Sequence, residues 1–145
     1  IEMFGYKCTL QTDTEVITYI IDYLVRRRGL TLEETAHVLA ASFWSTIADK
    51  GEEAQEQETL LRRMFPSLLV TGPFSIILGY TGGLMALGDR LKLRSMVCAE
   101  KGDKAYISSE ESAIRRIEPN LDRVWSPAGG ESVVFELYGK GGFAR

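Results

Sequence analysis

The sequence is poor in the residues on which several classes of function depend. Its 145 residues include only two cysteines and one histidine. Cys8 and Cys98 both lie in apolar, strand-like runs, so they read as buried thiols and not as a disulfide framework. His37 stands on a helical pattern with no cysteine or second histidine beside it, too few ligands for a metal site. Basic residues are scattered in pairs and one triplet, the net charge is −3 and the isoelectric point is near 5.3. That pattern excludes a nucleic-acid surface, which needs a concentrated basic face. No apolar run approaches the ~20 residues of a membrane span, and no signal peptide is visible. Together these absences predict a cytoplasmic protein with neither nucleic acid nor membrane among its partners.

What is present suits one domain, since 45% of the residues are apolar, enough to build a core at this length. The chain is organised around Thr12-Asp13-Thr14-Glu15-Val16. Residues 6–10 before it read as a short strand. The apolar segment after it ends in Arg26-Arg27-Arg28-Gly29. Thr12 with Glu15 three residues later forms a capping box, in which each side chain satisfies a backbone N–H left unpaired at a helix start. The arginines suit the negative end of a helix, and Gly29 suits a left-handed stop. The pattern therefore predicts a helix over 14–28 with Asp13 at its first turn, directly after a strand. A carboxylate at the positive end of a helix is a good partner for the α-ammonium of an amino acid. Acidic first-turn residues are also common for structural reasons, so local pattern alone assigns Asp13 no role.

A second capping box, Thr31 with Glu34, opens a helix predicted over 32–48, with Phe43 and Trp44 among its core residues. Residues 49–58 are polar and acidic and read as a solvated connection. A third helix is predicted over 59–69, with Pro66 starting or kinking its last part. At Gly72-Pro73 the helical periodicity gives way to nearly continuous apolar runs. These predict strands over 73–80 and 84–88, joined by a glycine turn at Thr81-Gly82-Gly83. Strands apolar on both faces must be covered on both. Further strands are predicted over 95–99, 105–108 and 132–138, and Ser108 with Glu111 reads as a third capping box before a short helix that Pro119 stops. The whole predicts an α+β fold with mainly antiparallel sheets, two of them facing each other in an α/β/β/α sandwich. Asp89, Arg90 and Arg94 read as a structural ion pair holding a loop. Gly139-Lys140-Gly141-Gly142 reads as a flexible tail, because no helix follows to make a phosphate cradle.

The run from Gly5-Tyr6-Lys7 to Thr12-Asp13-Thr14-Glu15-Val16 resembles the matching stretch of class II glutamine amidotransferases. Gly72-Pro73-Phe74-Ser75, the glycine hairpin, Asp89-Arg90 with Arg94, Ser108-Ser109-Glu110-Glu111-Ser112-Ala113-Ile114, and Pro127 with Gly129-Gly130-Glu131 follow in order. They are similar to the amidotransferase domain of glutamate synthases. The likeness covers about residues 5–137 and departs from the pattern at Ser95, where many relatives have proline.

The resemblance implies that residues 1–145 are the C-terminal portion of one such domain, part of an N-terminal-nucleophile-hydrolase-like sandwich. In that family the thiol of a first-residue cysteine attacks the side-chain amide of glutamine, with its own α-amine as base. The aspartate that matches Asp13 holds the α-ammonium of glutamine. In glutamate synthases the ammonia aminates 2-oxoglutarate; FMN and iron–sulfur carriers are implied only on other domains or subunits, with no cofactor in this domain. Residue 1 here is Ile1, and the sequence holds neither the nucleophile, the arginine-bearing substrate loop nor the Asn-Gly oxyanion pair. Cys8 cannot replace the nucleophile, since its amine is locked in a peptide bond. Ile1-Glu2-Met3-Phe4 before Gly5 reads as the last turn of a helix whose body is missing. The expectation is thus a substrate-binding Asp13, with no catalytic residue and no metal ligand in this chain. Glutamine is the expected ligand, and a nucleophile-bearing N-terminal half or partner chain and glutamate synthase subunits are the expected partners. The alternative is a non-catalytic module that binds an amino acid or a subunit.

Overall fold

The computed structural model describes residues 1–10, 12–138 and 142–144. They form helices and antiparallel sheets, an α+β fold, in two units, Ile1–Val70 and Thr71–Arg145.

In the first unit, α1 (Asp13–Asp22) runs directly into a π-helical turn, Tyr23–Arg27. Thr12 caps α1 by accepting the Glu15 N–H on its hydroxyl at 3.2 Å. Ile17, Ile20, Ile21 and Leu24 recur at helical spacing and form its buried stripe. The helix stops at Gly29, φ 75°, where the Leu30 N–H reaches back to the Leu24 carbonyl at 3.1 Å. That bond, reaching back six residues across a left-handed glycine, satisfies a carbonyl the helix end would otherwise orphan. The Thr31 capping box is complete: its hydroxyl accepts the Glu34 N–H at 3.1 Å, and the Glu34 carboxylate accepts the Thr31 N–H at 2.8 Å.

The helix expected over 32–48 is two helices, α2 (Leu32–Leu39) and α3 (Trp44–Ala48). The Leu39 carbonyl accepts the Val70 N–H at 2.9 Å from the returning chain, and Ala40 turns out of helical geometry. Phe43 and Trp44 are 40% and 50% exposed, so they are not core residues. The Arg62 guanidinium lies 4.2 Å over the Trp44 ring, a cation–π contact at the surface. The acidic stretch is not an irregular connection either, because α4 spans Glu52–Met64. Glu52 and Glu53 stand at its positive end and Arg62 and Arg63 at its negative end, so the charge pattern itself supports the helix. Pro66 starts a short 3-10 turn, Pro66–Leu68.

The second unit contains β1 (Ser75–Tyr80), β2 (Gly83–Gly88), β3 (Val97–Lys101), β4 (Lys104–Ser108), α5 (Glu111–Ile117), β5 (Arg123–Trp125), β6 (Ser132–Tyr138) and β7 (Gly142–Ala144). One sheet has the order β1-β2-β6-β7 and the other β4-β3-β5, and every pairing is antiparallel. The predicted hairpin pairs Ser75 with Gly88 and Tyr80 with Gly83. A Cβ on Gly83 would run into the Phe135 carbonyl of the neighbouring strand, which requires glycine there. The two sheets share a core of Ala86, Met96, Cys98 and Phe135, with Trp125 edge-on to Phe135 at 6.1 Å. Met85, Ala86 and Leu87 are all fully buried, so β2 is covered on both faces.

β5 was not foreseen: Trp125 leads a run of turn residues, yet it pairs with Cys98 and completes the second sheet. Ser108 and Glu111 do not make a capping box. Glu110 is the N-cap of α5, and the Ser108 hydroxyl accepts the Glu110 N–H at 3.3 Å. The flexible-tail expectation falls partly on residues 139–141, outside the described residues, while Gly142–Ala144 is a strand paired with β6. Among the described residues, no helix is long and apolar enough to cross a membrane.

Candidate functional site

Asp13, the predicted substrate-binding residue, lies in the first turn of α1, exposed, its side chain without a hydrogen bond to any described residue. The helix places its carboxylate where the unpaired N–H groups concentrate positive charge. Residues 6–10, expected as a strand, are not one. They form a strap laid along the helix, because their partners are side chains and not a neighbouring strand.

Glu15, Tyr19, Tyr23 and Arg27 fall every four residues along α1 and the π-helical turn, apart from the apolar stripe. Each holds part of the strap. The Glu15 carboxylate accepts the Thr9 N–H at 2.8 Å, the Thr9 hydroxyl at 3.1 Å and the Leu10 N–H at 2.7 Å. The Tyr19 hydroxyl sits 3.2 Å from the Lys7 carbonyl and 3.3 Å from Glu15 Oε1, and its ring stacks on Tyr6 at 4.9 Å. Tyr23 stacks on Phe4 at 4.2 Å. Arg27 donates to the Phe4 carbonyl and lies 4.6 Å over the Tyr6 ring. The Tyr6 hydroxyl in turn donates to Asp22 Oδ2 at 2.6 Å.

These contacts shift the acids and phenols as expected. The Tyr6 hydrogen bond holds the Asp22 carboxyl below its usual range against partial burial, with help from Arg26. Burial and then Asp22 push the Tyr6 phenol up; burial and then Glu15 do the same to Tyr19. Sequence reading singled out Glu15 only as half of a capping box. Its side chain instead bypasses the N-cap and reaches Thr9 and Leu10. The four-residue spacing of Glu15, Tyr19, Tyr23 and Arg27 was the available signal for the strap.

Cys8, read as a buried thiol in a strand, lies on this strap and is only half-buried. Cys98 is buried in the sheet core, which pushes its thiol up to about 12. His37 on α2 places Nδ1 3.6 Å from Glu58 Oε1, and the same oxygen is bound by Lys50. Glu58 is buried, and its Oε2 has no hydrogen-bond partner among the described residues.

The Asp89 loop is held by backbone groups. The buried Asp89 carboxylate accepts the N–H groups of Phe74, Leu91, Leu93 and Arg94 at 3.0–3.3 Å. Burial pushes this carboxyl up, but the four N–H groups outweigh it and leave it below the usual range. Asp89 therefore anchors a loop, as the sequence suggests, by a different means from the ion pair expected there. A shallow hollow of about 600 Å³ opens beside the β1–β2 turn, lined by Gly79, Tyr80, Thr81, Gly83, Leu84 and Leu137.

No family model and no solved structure matches this chain. An uncharacterized protein of Archaeoglobus fulgidus is similar to it, 44% identical over 137 residues. The match covers 94% of this chain and 36% of that protein, so the chain spans about a third of the length of its curated relative.

Proposed function

We propose that this chain is the downstream part of a class II glutamine amidotransferase domain of the glutamate synthase type, cytoplasmic, in which Asp13 binds the α-ammonium of glutamine. The observation that carries the reading is the placement of Asp13. An exposed carboxylate without a hydrogen-bond partner among the described residues stands at a helix N-terminus, in the sequence context the family uses for that purpose. Two antiparallel sheets that share a core in the second unit are compatible with an N-terminal-nucleophile-hydrolase sandwich.

In this reading a cysteine thiol on a nucleophile-bearing segment or partner chain attacks the glutamine carboxamide carbon. Its α-amine takes the thiol proton and delivers a proton to the departing nitrogen, which leaves as ammonia. Water then hydrolyses the thioester and releases glutamate. Asp13 contributes by fixing the amino-acid end of the substrate, so that the amide lies against the thiol. The ammonia is used for glutamate synthesis from 2-oxoglutarate, and FMN and iron–sulfur carriers belong to other domains or subunits.

The test is Asp13→Asn in the protein together with its nucleophile segment. A charge-assisted hydrogen bond contributes ~1.5–3 kcal/mol, so kcat/KM for glutamine should fall by roughly 10- to 150-fold. Unchanged kinetics would remove the assignment. Glutamine binding without ammonia release would favour the non-catalytic module instead.

A further inference from the structure

We propose that Glu15 is the positioning residue of the Asp13 site, an inference that rests on the reading of Asp13 as the ammonium acceptor. In an ordinary capping box the glutamate returns to the N-cap amide. Here it reaches further back, to the Thr9 and Leu10 N–H groups at 2.8 and 2.7 Å and to the Thr9 hydroxyl at 3.1 Å. Its own N–H is held by Thr12 Oγ1 at 3.2 Å. The carboxylate thereby ties Thr9 and Leu10 to the first turn of α1, where Asp13 stands.

The Asp13 side chain makes no hydrogen bond to a described residue, so the backbone that carries it decides which space the carboxylate can reach. Glu15 holds the strap against that turn. A binding group must be held within about 0.5 Å of its productive position, and a carboxylate with two accepting oxygens is the side chain that can tie two N–H groups at once. A carboxamide offers one acceptor and turns an NH₂ toward the other N–H. Tyr19 supports the arrangement from the next turn, with its hydroxyl 3.3 Å from Glu15 Oε1 and 3.2 Å from the Lys7 carbonyl.

The experiment is steady-state glutaminase kinetics on the full-length protein with Glu15→Gln, Tyr19→Phe, Asp13→Asn and the Asp13→Asn/Glu15→Gln double variant. Glu15→Gln should raise KM for glutamine roughly 10-fold and leave kcat within about 2-fold, because it misplaces a binding group and touches no reacting atom. Tyr19→Phe keeps the ring stack and should raise KM roughly 3-fold. The double variant should be no worse than Asp13→Asn alone, since a displaced aspartate has nothing more to lose. Unchanged KM in Glu15→Gln, or additive penalties in the double variant, overturns the proposal. If Glu15→Gln does not fold, wild-type KM in Tyr19→Phe overturns it. Wild-type kinetics in Asp13→Asn would remove the Asp13 reading and the Glu15 role together. A damaged Asp13→Asn beside a normal Glu15→Gln would remove the Glu15 role alone.

Discussion

The Asp89 carboxylate receives the Leu93 N–H on both of its oxygens, each at 3.1 Å. With Leu91, Arg94 and Phe74 also donating, this one side chain sets the path of the whole loop that follows β2. Replacing it by alanine strips four backbone donors of an acceptor in a buried place. Asp89→Ala should cost about 3 kcal/mol, read as a lower urea midpoint for the second unit. A midpoint equal to wild type would show that water satisfies those groups.

The same carboxylate makes stability depend on pH in one direction. Its folded pKa lies below the unfolded value of 3.8, so its contribution is present above that value and is lost as pH falls through the folded pKa. Asp22, also held low, adds to the same acid loss in the first unit. Urea titrations from pH 7 down to about pH 2 should show the loss shallower in Asp89→Asn than in wild type. Parallel curves would contradict it.

Gly129 is the partner of that loop. A Cβ there would meet the Arg90 carbonyl carbon at 2.8 Å and the Lys92 nitrogen at 3.2 Å, both backbone atoms that cannot swing away. Gly129→Ala should destabilise by about 1–3 kcal/mol. Gly88→Ala, with no atom within 4 Å of the new carbon, should stay within about 0.5 kcal/mol. Equal effects at the two positions would refute the steric argument.

Arg27→Ala should loosen the strap without unfolding the helix. It removes the donor to the Phe4 carbonyl and the cation over Tyr6, at an exposed position. The expected cost is about 1 kcal/mol, seen as faster amide exchange over residues 4–10 and little change in the α1 core. Unchanged exchange in the strap would show that the ring stacks suffice.

The 145-residue chain by itself should release no ammonia from glutamine. The attacking thiol, amine base and oxyanion donors that the proposed function requires are not among these residues, and losing a nucleophile commonly removes on the order of 10⁶-fold in rate. Supplying the nucleophile segment in trans should restore release. Glutaminase activity from the pure chain would refute the proposed function.

The parts of the fold legible in the sequence were those fixed by local chemistry. Thr12, the Thr31–Glu34 box, Gly29 and the Gly82-Gly83 turn each act on their own backbone neighbours, and the element ends they set fall close to where they were expected. The misreadings share another cause, a partner distant in sequence. Val70 taking the Leu39 carbonyl splits one expected helix into two. Cys98 pairs a strand onto Trp125, within a run of turn residues. Helix side chains claim residues 6–10 that alternate like a strand. At the candidate site, Asp13 was visible by its place after a cap, whereas Glu15 was hidden by its resemblance to half of one.

The π-helical turn at Tyr23–Arg27 fixes where Arg27 meets the strap. In a regular α-helix each four-residue step drifts ~40° around the axis, so Glu15, Tyr19, Tyr23 and Arg27 would wind away from a straight segment. The wider turn, closed by Arg28 N–H to the Tyr23 carbonyl at 3.1 Å, winds less per residue and brings Arg27 back toward Phe4 and Tyr6. Deleting one residue between Tyr23 and Arg27 would therefore give a more regular helix and a worse protein. The ladder of hydrogen bonds would close, but the far end of the strap would lose its clamp. Within this turn the exposed Arg26 tolerates substitution, whereas the fully buried Leu24 does not.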